Sequence, residues 1–128
     1  MKVKDIMHTE ATWVGPDTPL QQVAAKILED HAGVLPISEF DRLVGVVTAR
    51  DVGACDAAQA QCLTARDVMS KPNVYCYPEE DADEAARIMR KHAVRRLTVV
   101  SHQKRIIGSV LLEEAERRIS TNARHGRA

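Results

Sequence analysis

The chain has 128 residues, 45% of them hydrophobic, with 18 Lys+Arg balanced by 18 Asp+Glu. That length and composition predict one compact domain with a real core, and zero formal net charge argues against broad electrostatic capture of nucleic acid or an anionic membrane. Four aromatics, Trp13, Phe40, Tyr75 and Tyr77, are too few for a base-stacking platform. No apolar run reaches the ~20 residues of a membrane span, and Met1-Lys2-Val3-Lys4-Asp5 lacks the apolar core of a signal peptide, so the expected compartment is the cytoplasm.

In chain order, Thr12-Trp13-Val14 reads as a short strand. Thr18-Pro19-Leu20-Gln21 reads as a helix start, with Thr18 at the N-cap, Pro19 at N1 and Gln21 closing a capping box. Leu20, Val23, Ala24, Ile27, Leu28 and His31 then form one stripe at helical spacing. Val34 to Ser38 and Leu43 to Thr48 are apolar runs that read as paired strands around a turn, Glu39-Phe40-Asp41-Arg42. A second helix is expected from Ala49 through the Ala-rich stretch to about Ala60. Val74 to Tyr77 is the next short strand, and Asp81 caps a helix running to about His92. His31 and His92, at helix ends, read as cations facing the dipole. Leu97 to Ser101 and Arg105 to Leu112 are strands, and Glu113 to Ile119 a last helix. Residues 121–128 carry no apolar periodicity and read as a flexible basic tail.

These elements are two copies of one β-α-β-β-α unit. A shift of 62 residues lays Lys4-Asp5-Ile6-Met7 on Arg66-Asp67-Val68-Met69, Pro16 on Pro78, Ala24 on Ala86 and Leu35 on Leu97. One extra residue in the second copy then brings Gly45 onto Gly108 and Val47 onto Val110. The expected boundaries are 1–62 and 63–120, with 121–128 as the tail. About 60 residues bury too little surface to be comfortably stable alone. An α+β fold is therefore predicted, with the two copies packed through their sheets about a pseudo-two-fold axis and the helices outside.

The chemistry concentrates in Gly45-Val46-Val47-Thr48-Ala49-Arg50-Asp51, where a strand gives way to a helix. Unpaired N–H groups at a helix start suit a phosphate. Thr48 can donate its hydroxyl to a phosphate oxygen, Arg50 adds a charged partner, and the Asp51 carboxylate can accept both hydroxyls of a ribose. The competing reading is that Thr48 and Asp51 only cap the helix. In the second copy Leu111 stands where Thr48 does and Glu114 where Asp51 does, so one good cleft and one degenerate cleft are expected. The sequence has no P-loop, no Gly-x-Gly-x-x-Gly, no nucleophile elbow and no His-Glu-x-x-His, and no enzyme activity is expected. Cys55, Cys62 and Cys76 are a sparse, odd set that forms neither a disulfide framework nor a metal site.

The paired Asp5-Ile6-Met7 and Asp67-Val68-Met69, Val34-Leu35-Pro36-Ile37, Gly45 to Asp51, Val94 to Val100 and Ile107-Gly108-Ser109-Val110 resemble a tandem CBS (cystathionine-β-synthase-type) domain pair, or Bateman module, over about residues 1 to 120. The resemblance implies a regulatory sensor of an adenine nucleotide (AMP, ADP or ATP) that signals to an unknown protein partner. Its Gly-x-x-Thr/Ser-x-x-Asp motif implies ribose at Asp51 and phosphate at Thr48. It also implies that the cleft is completed by the other copy, from around Met69, Val74, Tyr75, Cys76 and Val94, with Val46, Val47 and Pro36 as apolar walls. Arg95 and Arg96 stand where family members carry basic residues that reach phosphates; the alternative is a solvated or dimer-facing pair. Ala82, Ala85, Ala86, Ile88 and Met89 make one helix apolar on more than one side. Spare apolar surface predicts a partner, and the resemblance implies a homodimer through such helices. Two further readings stay open: an interaction module with no small ligand, and a sensor of another adenosyl ligand such as NAD or S-adenosylmethionine.

Overall fold

The computed structural model describes residues 1–30, 33–56, 58, 61–72 and 74–117. In chain order these form a 3₁₀ turn Val3–Asp5, helix α1 Leu20–Asp30, strands β1 Val34–Glu39 and β2 Arg42–Thr48, helices α2 Ala49–Gly53 and α3 Ala65–Val68, strand β3 Tyr75–Cys76, helix α4 Ala82–His92, and strands β4 Arg96–Val100 and β5 Ile106–Leu111. A last helix, α5, covers 112–117. β1 and β2 pair antiparallel; β3 runs parallel to β4, which is antiparallel to β5. This is the mixed α+β architecture expected.

The repeat is legible bond by bond. Val3 N donates to Glu80 O and Ala65 N to Thr18 O; Lys4 N donates to Pro78 O and Arg66 N to Pro16 O; Ala82 N donates to Met1 O and Leu20 N to Leu63 O. Each pair repeats the other with the roles of the copies exchanged. The opening segment of each copy therefore straps across the other copy. The Asp-x-Met motif has a physical role in this strap. Asp5 Oδ2 accepts the Lys2 backbone N–H at 3.0 Å and Asp67 Oδ2 accepts that of Thr64 at 2.8 Å, which fixes each opening turn. One residue pair further on, Met7-His8 lies over Gly108 and Met69-Ser70 over Gly45. His8 and Ser109 exchange backbone hydrogen bonds there, as Ser70 and Val46 do.

The exchange organises the core. One apolar cluster holds Val3 and Ile6 among Val74, Cys76, Ala85, Met89, Leu97, Val99 and Val110 of the second copy. The other holds Ala65 among Leu20, Val23, Ile27, Leu35, Ile37 and Val47 of the first. The β1–β2 hairpin is buried on both faces: Val34 and Val46 join the first cluster, Leu35 and Val47 the second. That two-sided burial explains its continuous apolar runs. Both β1 and β4 carry a bulge at matching places, Ile37/Ser38 and Val99/Val100.

Four expectations need correction. Thr12 to Val14 is not a strand; only Val14 makes a bridge, parallel to Ile37. α1 begins at Leu20, one residue late, because the Pro19 carbonyl takes the first helical N–H, that of Val23, at 3.2 Å, so Pro19 and not Thr18 is the cap. The second helix is interrupted: α2 stops at Gly53, a poor helix residue, and residues 54–56 are not helical, although Ala58 is helical again. In α4, Ala82, Ala85, Ala86 and Met89 are buried within the chain itself, and of the expected partner-facing residues Ile88 alone stays half-buried. His31, Ala60, Ile119 and the basic tail lie outside the described residues. Among the described residues no helix is long and apolar enough to cross a membrane.

Candidate functional site

At the end of β2 the chain turns into α2 through Thr48, which is extended (φ −103°, ψ 164°) and caps the helix. Thr48 Oγ1 accepts the Asp51 N–H at 3.2 Å, and Asp51 Oδ2 accepts the Thr48 N–H at 2.9 Å. The capping reading is therefore correct, but it leaves chemistry unspent. Thr48 uses its hydroxyl oxygen as acceptor, so its proton remains free to donate. A carboxylate has about four acceptor positions, and Asp51 commits one. With only five residues, α2 adds little dipole, so the side chains and not the helix end carry the polar chemistry.

Thr48, Arg50 and Asp51 line a cavity of about 440 Å³ together with Val46, Ala49 and Gly33 of the first copy. Ser70, Val74, Lys91, His92 and Ala93 complete it from beyond α3. Two of these come from the end of α4, where Ala93 takes the left-handed conformation (φ 56°) and the helix closes with Val94 N donating to Met89 O at 3.0 Å. Lys91 and His92 were missed as cleft residues by sequence reasoning. Helix-end basic residues have a ready explanation in the dipole, and the turn that carries them to the cleft lacks the glycine that would mark it.

The other expected residues separate. Val47 is buried against α1, and Met69 packs half-buried on the same cluster with its sulfur over Gly45. Val94 is core. Cys76 is core as well, and burial pushes its thiol up to about 12. Tyr75 leaves the cleft for a small cluster: Lys104 Nζ donates to its hydroxyl and lies 3.9 Å above its ring, while Tyr77 meets it edge-on at 5.8 Å. The Lys104 bond holds the Tyr75 hydroxyl below its ordinary value. Arg95 is exposed and faces Glu113 at 3.7 Å.

Arg96 belongs to a second cavity, of about 570 Å³, lined also by His8, Thr9, Glu10, Ala11, Thr12, Ser109 and Leu111. Pro36 borders a small annex of it with Arg96, Thr98 and Ser109. This is the repeat-related counterpart of the Thr48 cleft, with Leu111 at the threonine position. Glu114, at the aspartate position, faces His8 across the repeat, with its Oε2 2.9 Å from His8 Nε2. The matching position to His8 in the first cleft is the small Ser70. Among the described residues no group of His, Cys, Asp and Glu could hold a metal ion.

The family model for the CBS domain matches twice, over residues 3–52 and 65–120. The CBS domain-containing protein YhcV of Bacillus subtilis is 31% identical over 112 residues, covering 86% of this chain and 79% of its own. Hypoxic response protein 1 of Mycobacterium tuberculosis is 30% identical over 124 residues, covering 94% and 86%. A homoserine O-acetyltransferase of Methanosarcina acetivorans is 31% identical over 115 residues, but the chain spans only 20% of that enzyme. Among solved structures, the CBS domain pair of protein MJ0100, in complex with 5′-methylthioadenosine and S-adenosyl-L-methionine, superposes with a TM-score of 0.73 at 24% identity, covering 95% of this chain and 98% of that one. CBSX2, a CBS-pair protein of Arabidopsis thaliana, in complex with AMP, gives 0.74 at 23%, again covering 95% and 98%. Sequence, repeat and fold agree: the chain is a tandem pair of CBS domains and belongs to the CBS-domain family.

Proposed function

We propose that the chain is a regulatory sensor without catalytic activity, that it binds one adenine nucleotide in the Thr48/Asp51 cleft, and that it reports occupancy to a partner protein. The observation that carries this reading is the reciprocal Thr48–Asp51 cap opening onto a cavity with apolar walls, Val46 and Val74. The cap holds both side chains in place before ligand arrives, which lowers the ordering cost of binding. Asp51 takes the ribose hydroxyls, Thr48 donates to the phosphate, and the base lies against the valines. The copies divide as 1–62 and 63–120, and the cleft draws on both. A bound ligand favours whichever arrangement of the copies closes it, and that population shift is the signal. Ligand complexes of other CBS pairs, with AMP or with 5′-methylthioadenosine and S-adenosylmethionine, support the ligand class.

Calorimetric titration of nucleotide-stripped protein with AMP, ADP, ATP, NAD and S-adenosylmethionine tests it. The expected result is saturation near one ligand per chain. Asp51→Ala removes charge-assisted bonds worth about 1.5–3 kcal/mol, so affinity falls roughly ten- to hundredfold. No binding of any ligand, at two temperatures, overturns the reading and favours a module that works through protein contacts alone. The degenerate second motif, with Leu111 at the threonine position and Glu114 already engaged by His8, is why one ligand and not two is expected.

A further inference from the structure

We infer that the Thr48/Asp51 cleft selects for a nucleoside di- or triphosphate over a monophosphate, and against a cationic adenosyl ligand. This rests on the reading that the cleft binds an adenine nucleotide and goes beyond it by naming the number of phosphates. The observation is a cavity lining with more basic than acidic side chains. Arg50 lines the cavity from α2, and Lys91 and His92 line it from the end of α4 in the other copy. Among the described residues, none of the three side chains makes an ion pair or side-chain hydrogen bond.

The cavity lining contains one carboxylate, Asp51, and the nucleotide reading assigns it to the ribose. Thr48 serves the first phosphate. That leaves the three basic groups, two of them contributed by the second copy, for negative charge beyond the first phosphate. A lining with more basic than acidic groups favours a polyanion over a monoanion or dianion. The same field opposes the sulfonium of S-adenosylmethionine. The second cavity lacks this excess: Arg96 and His8 share it with Glu10, and His8 already faces Glu114. The selectivity also explains how a ligand couples the copies. A monophosphate is held mainly by the first copy, whereas the outer phosphates reach Lys91 and His92 and draw the second copy in.

The test is titration of the full chain with adenosine, AMP, ADP and ATP, at about 50 and 300 mM salt, for the wild type and Lys91→Gln. Lys91 is exposed at the helix end, so the variant is expected to fold, which circular dichroism checks. Affinity is expected to rise along the series by about tenfold or more from AMP to ATP, and added salt to weaken ATP most. Lys91→Gln then lowers ATP affinity several-fold more than adenosine affinity. Equal affinities for AMP and ATP, or a Lys91→Gln loss shared equally by adenosine and ATP, overturn this inference while leaving the nucleotide reading standing. Silence with every ligand overturns both.

Discussion

Adding one methyl group at the two strap crossings gives unequal losses, although the positions are related by the repeat. A Cβ on Gly108 sits 2.4 Å from the His8 carbonyl oxygen. Ordinary contact begins near 3.4 Å, so backbone must move by 3.4 − 2.4 = 1.0 Å. The moving atom accepts the Ser109 N–H at 2.9 Å beside the reciprocal bond from His8 N to Ser109 O at 2.8 Å, and a shift of that size breaks or strains both. Overpacking at about 1–3 kcal/mol, together with part of two bonds at about 1 kcal/mol each, puts Gly108→Ala near 3 kcal/mol. At Gly45 the closest atoms are Met69 Sδ at 2.6 Å and Cγ at 2.9 Å, the mobile part of a flexible side chain. The fixed obstacle, Ser70 O, is 3.0 Å away and needs to give only 3.4 − 3.0 = 0.4 Å. Gly45→Ala is therefore expected to cost about 1 kcal/mol. For 128 residues the unfolding entropy is roughly 270 cal/mol/K, so the expected drops in Tm are about 11 °C and about 4 °C. Thermal unfolding by circular dichroism, with urea titration to check that m is unchanged, measures both. Equal drops, or a Gly108→Ala protein within a degree of wild type, would refute the strap argument.

Other outcomes follow from the same geometry. Phe40 and Asp41 both hold positive φ, 54° and 64°, at the β1–β2 turn, and the Phe40 side chain is 91% exposed; replacing them with Asn and Gly suits that turn and stabilises the protein by about 1 kcal/mol, read as a higher urea midpoint. Thr48→Val leaves a buriable shape but no cap acceptor or phosphate donor, so it lowers Tm by a few degrees for a loss of about 1 kcal/mol and weakens AMP more than adenosine in the same titration. Cys76 ionises near 9 when unfolded and near 12 when folded. The unfolded chain therefore binds fewer protons across that interval, and stability present below pH 9 falls by up to about 1.4 kcal/mol per pH unit as pH rises; Cys76→Ala should flatten the slope. In native protein a thiol reagent should label exposed Cys62 first and reach Cys76 only after unfolding.

What the sequence disclosed depended on whether the signal was periodic or repeated. α4 ran from Ala82 to His92 as its apolar spacing predicted, and the offset of 62 residues carried over to the cross-copy hydrogen bonds. Thr48 and Asp51 were found because a cap and a ligand seat require the same residue types. The straps themselves were invisible: they pair through single backbone positions such as Lys2 with Asp81 and Thr64 with Pro19, which leave no side-chain pattern. Lys91, His92 and Ser70 reach the cleft only through tertiary placement, and the burial of Ala82, Ala85, Ala86 and Met89 of α4 depends on Val3 and Ile6 arriving from the opposite end of the sequence.

That arrival sets an order of events during synthesis. The berth for Val3 and Ile6 is built from Glu80, Ala85, Met89 and Val110, which leave the ribosome long after the residues that occupy it. At about 5–20 residues per second, the segment carrying Val3 and Ile6 waits some 5–20 s with its apolar side chains undocked. Residues made early are thus among the last to find their places, and a bulky group placed next to Met1, whose carbonyl accepts the Ala82 N–H, would be felt at that closing step.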